Sequence, residues 1–205
     1  LRKGFKVNEY GIFRLDDDKR IGGEKEEEIY ETLGMEWIPP EMREDQGEIE
    51  LAQEKKLPVL IDISDLQGDL HVHSNWSDGV SSIAEMAEAA LSRGYKYLAI
   101  CDHTQSLAVA SGLSPEEIRE RRKEIEQWNK KGKSLRLLDG VEANIMSDGS
   151  LDFPDSELEK LEVVVAGLHS GLGQGEEKIL YRLEGAMKNK YVQVISHPTG
   201  RILNR

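Results

Sequence analysis

From residue 57 onward, short runs rich in Val, Ile and Leu alternate with stretches whose apolar positions recur every three or four residues. Val59 to Ile63 is apolar, and the runs that follow it are Asp69 to His73, Tyr95 to Ile100, Leu135 to Leu138, Leu161 to Leu168 and Val192 to Ser196. Runs of that length between helical stretches read as buried strands. Ser81 to Arg93 is the first helix between them, with Ser81 or Ser82 as N-cap, Ile83, Met86, Ala87, Ala90 and Leu91 facing inward and Gly94 as the stop. Ser114 followed by Pro115, Glu116 and Glu117 starts a long helix to about Lys130, and Glu176 to Lys188 forms another. Strands alternating with helices predict a parallel α/β barrel or sheet.

The first part of the chain follows a different pattern. Lys6 to Tyr10 and Ile12 to Leu15 read as two short strands about Gly11, followed by Asp16-Asp17-Asp18 and a turn at Gly22-Gly23. Glu24 to Leu33 reads as a helix with an acidic first turn, an apolar face of Ile29, Tyr30 and Leu33, and Gly34 at its end. Its acidic run is a solvated face. Trp37-Ile38-Pro39-Pro40 breaks regular structure, and the charged stretch Glu41 to Lys56 is a connector, helical in its second half. The expected domains are a small α+β segment at 1–45, a linker at 46–67 and a larger α/β domain at 68–205. Because the chain opens at Leu1 inside a strand-like segment, it is expected to be part of something longer.

Composition narrows the classes. A chain of 205 residues is long enough for one sizeable domain and a small one. A net charge of −12 argues against a basic groove for nucleic acid, yet the imbalance sits mainly in the first part, where residues 1–67 carry 10 basic against 18 acidic residues. Bound cations would reverse the local sign in the second part and admit phosphate substrates. The single cysteine, Cys101, excludes an internal disulfide, fits a reducing cytoplasm and reads as a core residue. No apolar run approaches the length of about 18 residues that spans a membrane, and no signal peptide opens the chain. A cytoplasmic protein with no membrane partner is expected.

Chemistry gathers at the ends of the strands. In Gly68-Asp69-Leu70-His71-Val72-His73-Ser74-Asn75-Trp76-Ser77-Asp78-Gly79, His71 and His73 share one face of an extended strand. Residues two apart lie roughly 6 to 7 Å from one another, so both imidazoles can converge on one divalent ion. All five histidines, His71, His73, His103, His169 and His197, fall within or just after apolar runs. With Asp78 and Glu142 they make seven nitrogen and oxygen ligands, more than one ion needs. Two or three ions are inferred, and Glu142 is the best bridge because a carboxylate has two oxygens. Neither a Gly-x-Ser-x-Gly elbow nor a phosphate loop ending in Gly-Lys is present, which removes the common alternatives.

The segment Lys3-Gly4-Phe5-Lys6-Val7-Asn8-Glu9-Tyr10-Gly11-Ile12-Phe13, with Glu27, Ile29, Tyr30 and Leu33 to Pro40, resembles the end of the polymerase thumb of family X DNA polymerases. The larger part resembles the PHP family, named for polymerase and histidinol phosphatase. It does so through His71-x-His73 with Ser77-Asp78-Gly79, Asp102-His103, Gly140-Val141-Glu142, His169-Ser170 and His197-Pro198. The resemblance implies a distorted (β/α)7 TIM-like barrel holding up to three manganese, zinc or iron ions and hydrolysing phosphoesters. By position it implies one ion on His71, His73 and Glu142, a second on Glu142, His169 and His197, and a third on Asp78 and His103.

Catalysis would involve His71, His73, Glu142, His169 and Arg201. Arg201 either clamps a phosphate or makes a surface salt bridge. Asp102 is read as an orienting residue or helix cap, and Asp148 and Asp152 as turn residues. The family carries two further ligands in an Asp-x-His on the final strand, and this chain ends at Arg205 before reaching them, so a barrel incomplete at its C-terminus is expected. The implied activity is a 3′–5′ exonuclease or 3′-end processing on DNA in repair, with DNA and an upstream polymerase core as partners. A histidinol-phosphate type phosphatase, or a non-catalytic metal-stabilised scaffold, stands as the alternative.

Overall fold

The computed structural model describes residues 4–198 and divides into two units, Leu1–Ile63 and Ser64–Arg205. The first unit holds a three-stranded antiparallel sheet of β1 (Phe5–Asn8), β2 (Gly11–Arg14) and β3 (Arg20–Gly22), in that order. The third strand was not expected, because Gly22-Gly23 reads as a turn. Pairing with β2, Ile12 opposite Gly22 and Phe13 opposite Arg20, makes the segment a strand.

Helix α1 runs Glu27–Leu33, three residues shorter at its start than the pattern suggests. The Glu28 carboxylate accepts from the N–H groups of Gly23 and Glu24 (2.6 and 3.1 Å), which holds that segment as a turn ahead of the helix. Gly34 ends the helix in the left-handed conformation, as expected. Helix α2 (Glu48–Glu54) forms within the charged connector, and the fully buried Ala52 accepts from the N–H of Glu36 (3.0 Å).

The second unit is built on five parallel strands in chain order: β4 (Gly68–Val72), β5 (Tyr97–Ile100), β6 (Arg136–Asn144), β7 (Val163–Gly167) and β8 (Val194–Ile195). Neighbours in space are neighbours in sequence, the order of a singly wound TIM-like sheet rather than a doubly wound one. Between the strands lie α3 (Ile83–Ser92), α4 (Pro115–Lys130), the short α5 (Asp155–Leu158) and α6 (Glu176–Lys188). Helices α3 and α4 each begin with a capping box, Ser82 with Glu85 and Ser114 with Glu117, in which serine and glutamate satisfy each other's backbone N–H groups.

Strand periodicity sorts the side chains onto two faces. Leu98, Ile100 and Leu137 pack with Ile83, Ala87 and Ala90 of α3 and with Ile125 and Trp128 of α4. The alternate positions Ala99, Cys101, Val163 and Val165, with Leu138 and Val194, form a second apolar layer on the other face. The same parity continues along each chain segment to His103, Glu142, His169 and Ser196. The polar cluster therefore caps the second layer.

Strand β6 differs most from expectation. The apolar run ends at Leu138, but the strand continues to Asn144 because Gly140–Asn144 pairs residue for residue with Val163–Gly167. Glu142 thus sits inside a strand.

Leu137 is fully buried in the helix-facing layer. Leu137→Ala is expected to lower unfolding free energy by about 3 kcal/mol, and Ser114→Ala by about 1 kcal/mol, both read by urea denaturation. A loss under about 1 kcal/mol for Leu137→Ala would contradict the assigned packing.

Candidate metal centre

Glu142 is 1% exposed, and every histidine of the chain reaches it. On Oε2 stand His71 Nε2 (3.2 Å), His73 Nε2 (3.4 Å) and His103 Nδ1 (3.3 Å). On Oε1 stand His169 Nε2 (3.2 Å) and His197 Nε2 (3.0 Å), together with the Ser196 hydroxyl, which donates at 2.6 Å. Asp78, about half exposed, adds a second carboxylate, 3.2 Å from His73 Nδ1 and 3.5 Å from His103 Nε2. The structure thus brings together His71, His73, Asp78, His103, Glu142, His169 and His197. Arg201 lies outside the described residues.

The electrostatics follow from that crowding. Burial alone would raise the Glu142 carboxyl, but the close polar contacts of His169, His71 and Ser196 outweigh it and hold the group well below the ordinary carboxylate range. Burial lowers the pKa of His103 against the opposing pull of Glu142, with the neighbouring His73 lowering it further.

The donor set fits divalent cations. Three clusters have ligand atoms all within 4.8 Å of one another: His71, His73 and Glu142; His73, Asp78 and His103; and His103, Glu142 and His169. His73 Nδ1 and His103 Nδ1 are buried and lack a hydrogen bond, although carboxylate oxygens stand 3.2 and 3.3 Å away. Nitrogens that close to oxygens without hydrogen-bond geometry are aimed at a common point rather than at each other. Imidazole with carboxylate is a ligand mix suited to zinc, manganese or iron.

Two devices hold the ring in place. Asp102, fully buried beside His103, accepts from Ser74 N (2.7 Å), Ser77 Oγ (2.8 Å) and Ser74 Oγ (2.8 Å), and from Arg121 Nη1 (3.0 Å). It ties the loop carrying Asp78 to the end of β5. Arg121, also fully buried, extends from α4 to Asp139 (2.7 Å) and the Gly140 carbonyl (2.5 Å) on β6.

Glycine supplies the second device. A Cβ at Gly167 would stand 2.5 Å from His169 Cε1 and 2.7 Å from both Glu142 Oε1 and Ser196 Oγ. Only glycine leaves the carboxylate its place.

Asp148 keeps its expected turn role, accepting from Ser150 N and Oγ (3.0 and 2.6 Å). Asp152 does not. Its carboxylate binds Thr104, Ser106 and Asn144, joining the loops after β5 and β6. Asn144 in turn meets His169 Nδ1. No spacing rule marks Asn144, Asp152 or Arg121, because apart from the Asn144–Asp152 pair itself their side-chain partners lie 18 to 48 residues away along the chain. Burial raises the Cys101 thiol to about 12, in keeping with a core role.

Residues 69–196 match the family model "PHP domain", and residues 1–44 match "DNA polymerase beta thumb". The chain belongs to the PHP family. It is 42% identical over 203 residues to a DNA polymerase/3'-5' exonuclease PolX of Bacillus subtilis (strain 168), covering 99% of this chain and 35% of that protein. It is 31% identical over 143 residues to a probable phosphatase of Thermoanaerobacter sp. (strain X514), covering 63% of this chain and 53% of that one. A probable phosphatase of Caldanaerobacter subterraneus subsp. tengcongensis is 32% identical over 143 residues, with coverage of 63% and 51%. The chain therefore spans about a third of the polymerase relative and about half of each phosphatase.

Three outcomes check this anatomy of the PHP site. Asp102→Ala leaves the buried Arg121 without one of its two carboxylates and is expected to cost about 3 to 5 kcal/mol of stability; a loss below about 1 kcal/mol by chemical denaturation would contradict the role given to it. Gly167→Ala is expected to weaken Zn²⁺ binding in calorimetric titration while the circular dichroism of the sheet persists, and unchanged affinity would count against the close fit. Cys101 is expected to stay unreactive toward a disulfide reagent at pH 8 until denaturant is added; rapid reaction in the native state would contradict its burial.

Proposed function

We propose that this chain is the metal-dependent phosphoesterase part of a family X DNA polymerase, acting on the 3′ ends of DNA. The convergence of five imidazoles and the Asp78 carboxylate around the buried Glu142 carboxylate carries the reading. The thumb segment at 1–44 and the similarity to a protein named DNA polymerase/3'-5' exonuclease support the DNA substrate. A DNA end and the polymerase core of a longer chain are the proposed partners.

His71, His73 and Glu142 would hold one ion, Glu142, His169 and His197 a second, and Asp78 and His103 a third. Such ions supply Lewis acidity toward a phosphoryl oxygen and acidify a water for attack. The protein's own part is to keep the ligands rigid. Glu142 bridges the two halves of the ring because three imidazoles use one of its oxygens and two use the other. The four loops at 73–82, 101–114, 145–154 and 168–175 contain no Lys or Arg. Charge neutralisation of a phosphate therefore falls to the ions and to Arg201, the proposed clamp.

That same lack of basic residues, with the relatives named as probable phosphatases, supports a second reading as a small-molecule phosphatase. Both are tested by supplying Mn²⁺ to the chain with a 3′-labelled single-stranded oligonucleotide and, separately, with histidinol phosphate. The expected result is release of 3′ nucleotides, lost by about 100-fold or more in Glu142→Gln, the scale on which a transition-state stabiliser is removed. Cleavage of the phosphomonoester alone would overturn the exonuclease reading, and no hydrolysis of either would overturn both.

A further inference from the structure

Asp152 stands ten residues beyond Glu142 in the loop after β6, and its carboxylate takes four donors. Thr104 Oγ1 (2.6 Å) and Asn144 N (2.8 Å) meet Oδ1; Ser106 N (3.1 Å) and Asn144 Nδ2 (3.4 Å) meet Oδ2. Two of the four are backbone N–H groups, which can only donate, so the carboxylate oxygens act as acceptors. An asparagine amide has a donor nitrogen on one side and an acceptor oxygen on the other. With Asn144 Nδ2 directed at Asp152 and at the Ser106 hydroxyl, Asn144 Oδ1 is left facing His169 Nδ1. An amide oxygen cannot donate, so the hydrogen of that contact belongs to His169 Nδ1. The remaining ring nitrogen, Nε2, is the one 3.2 Å from Glu142 Oε1.

His169 is singular in this respect. Among the described residues, the other four imidazoles place no second nitrogen on a group outside the ring of candidate ligands: His73 and His103 face Asp78 and Glu142, while His71 and His197 direct only Nε2 inward. Asn144 is 7% exposed, so water does not compete freely for its amide.

We propose that Asp152, acting through the Asn144 amide, is a positioning residue that fixes His169 in the Nδ1-protonated tautomer and presents Nε2 as a ready metal ligand. A ring nitrogen that keeps its lone pair while facing a carboxylate oxygen is an arrangement a cation between them satisfies. The inference deepens the metal-centre reading and rests on it for the role of Nε2, whereas the tautomer follows from the hydrogen bonds alone.

The test is ¹⁵N NMR of the imidazoles in the metal-free chain at pH 9, where neutral tautomers are resolved, combined with Zn²⁺ titration. Wild type is expected to show His169 protonated at Nδ1. Asp152→Asn replaces an acceptor by a donor opposite the Asn144 amide; the His169 signals are expected to redistribute between tautomers, and Zn²⁺ affinity to fall about 10-fold. The exchanged pair Asn144→Asp with Asp152→Asn puts an acceptor back on His169 Nδ1 and is expected to restore the tautomer, a rescue that a purely structural role would not give.

An Nε2-protonated His169 in wild type overturns the proposal, and this reading needs no variant to fold. An unchanged tautomer in folded Asp152→Asn overturns it as well, as does a changed tautomer with unaltered Zn²⁺ affinity. If wild type shows the Nδ1-protonated ring yet binds no Zn²⁺, the metal-centre reading fails instead, and the two failures are thereby told apart.

Discussion

A carboxylate with 1% of its surface exposed must be compensated, and in this chain that constraint organises everything around it. Among the described residues Glu142 has no lysine or arginine partner; it has five imidazoles and a serine hydroxyl. Neutral imidazoles offer lone pairs as readily as protons, so the ring can be balanced either by protonated histidines or by cations held between the groups. Two buried ring nitrogens without hydrogen bonds favour the second, because proton sharing would have paired them.

Keeping so many ligands in place takes a rigid frame, and the parallel sheet provides it. Successive strands deliver side chains of one parity to the face that carries Ala99, Cys101, Val163 and Val165, and the polar ring follows on the same parity at the strand ends. Buried polar contacts then fix what the strands leave free. Asp102 and Arg121 anchor the loop that carries Asp78, Asp152 and Asn144 anchor His169, and Gly167 leaves the volume that the Glu142 carboxylate occupies. All of these contacts but the Asn144–Asp152 pair join segments distant in sequence, so the centre forms only when the whole unit is folded.

That division explains how far the chain could be read in advance. Local signals were dependable: Ser114 with Pro115 placed α4 at Pro115–Lys130, and Ser81 or Ser82 as N-cap placed the start of α3, which Ser82 caps. The seven polar residues at the ends of the apolar runs do converge, because strand order and parity are enough to bring them to one end of the sheet. What escaped notice depends on partners rather than spacing. β3 exists through pairing with β2, β6 runs on to Asn144 through pairing with β7, and Asp152 looks like one more turn aspartate until Thr104, Ser106 and Asn144 are seen around it. The (β/α)7 count and the phosphate-clamping role of Arg201 rest on resemblance, and Arg201 lies outside the described residues.

The most direct measurement of the central claim is the metal content of the purified chain after Mn²⁺ or Zn²⁺ is supplied and excess ion removed, read by elemental analysis alongside thermal unfolding. The account predicts at least one tightly held ion per chain and a clear rise in melting temperature, since saturating a site at about 100 times its dissociation constant adds about 2.7 kcal/mol to stability. A chain that retains no ion and melts at the same temperature with and without metal would show that the histidine ring balances Glu142 with protons alone.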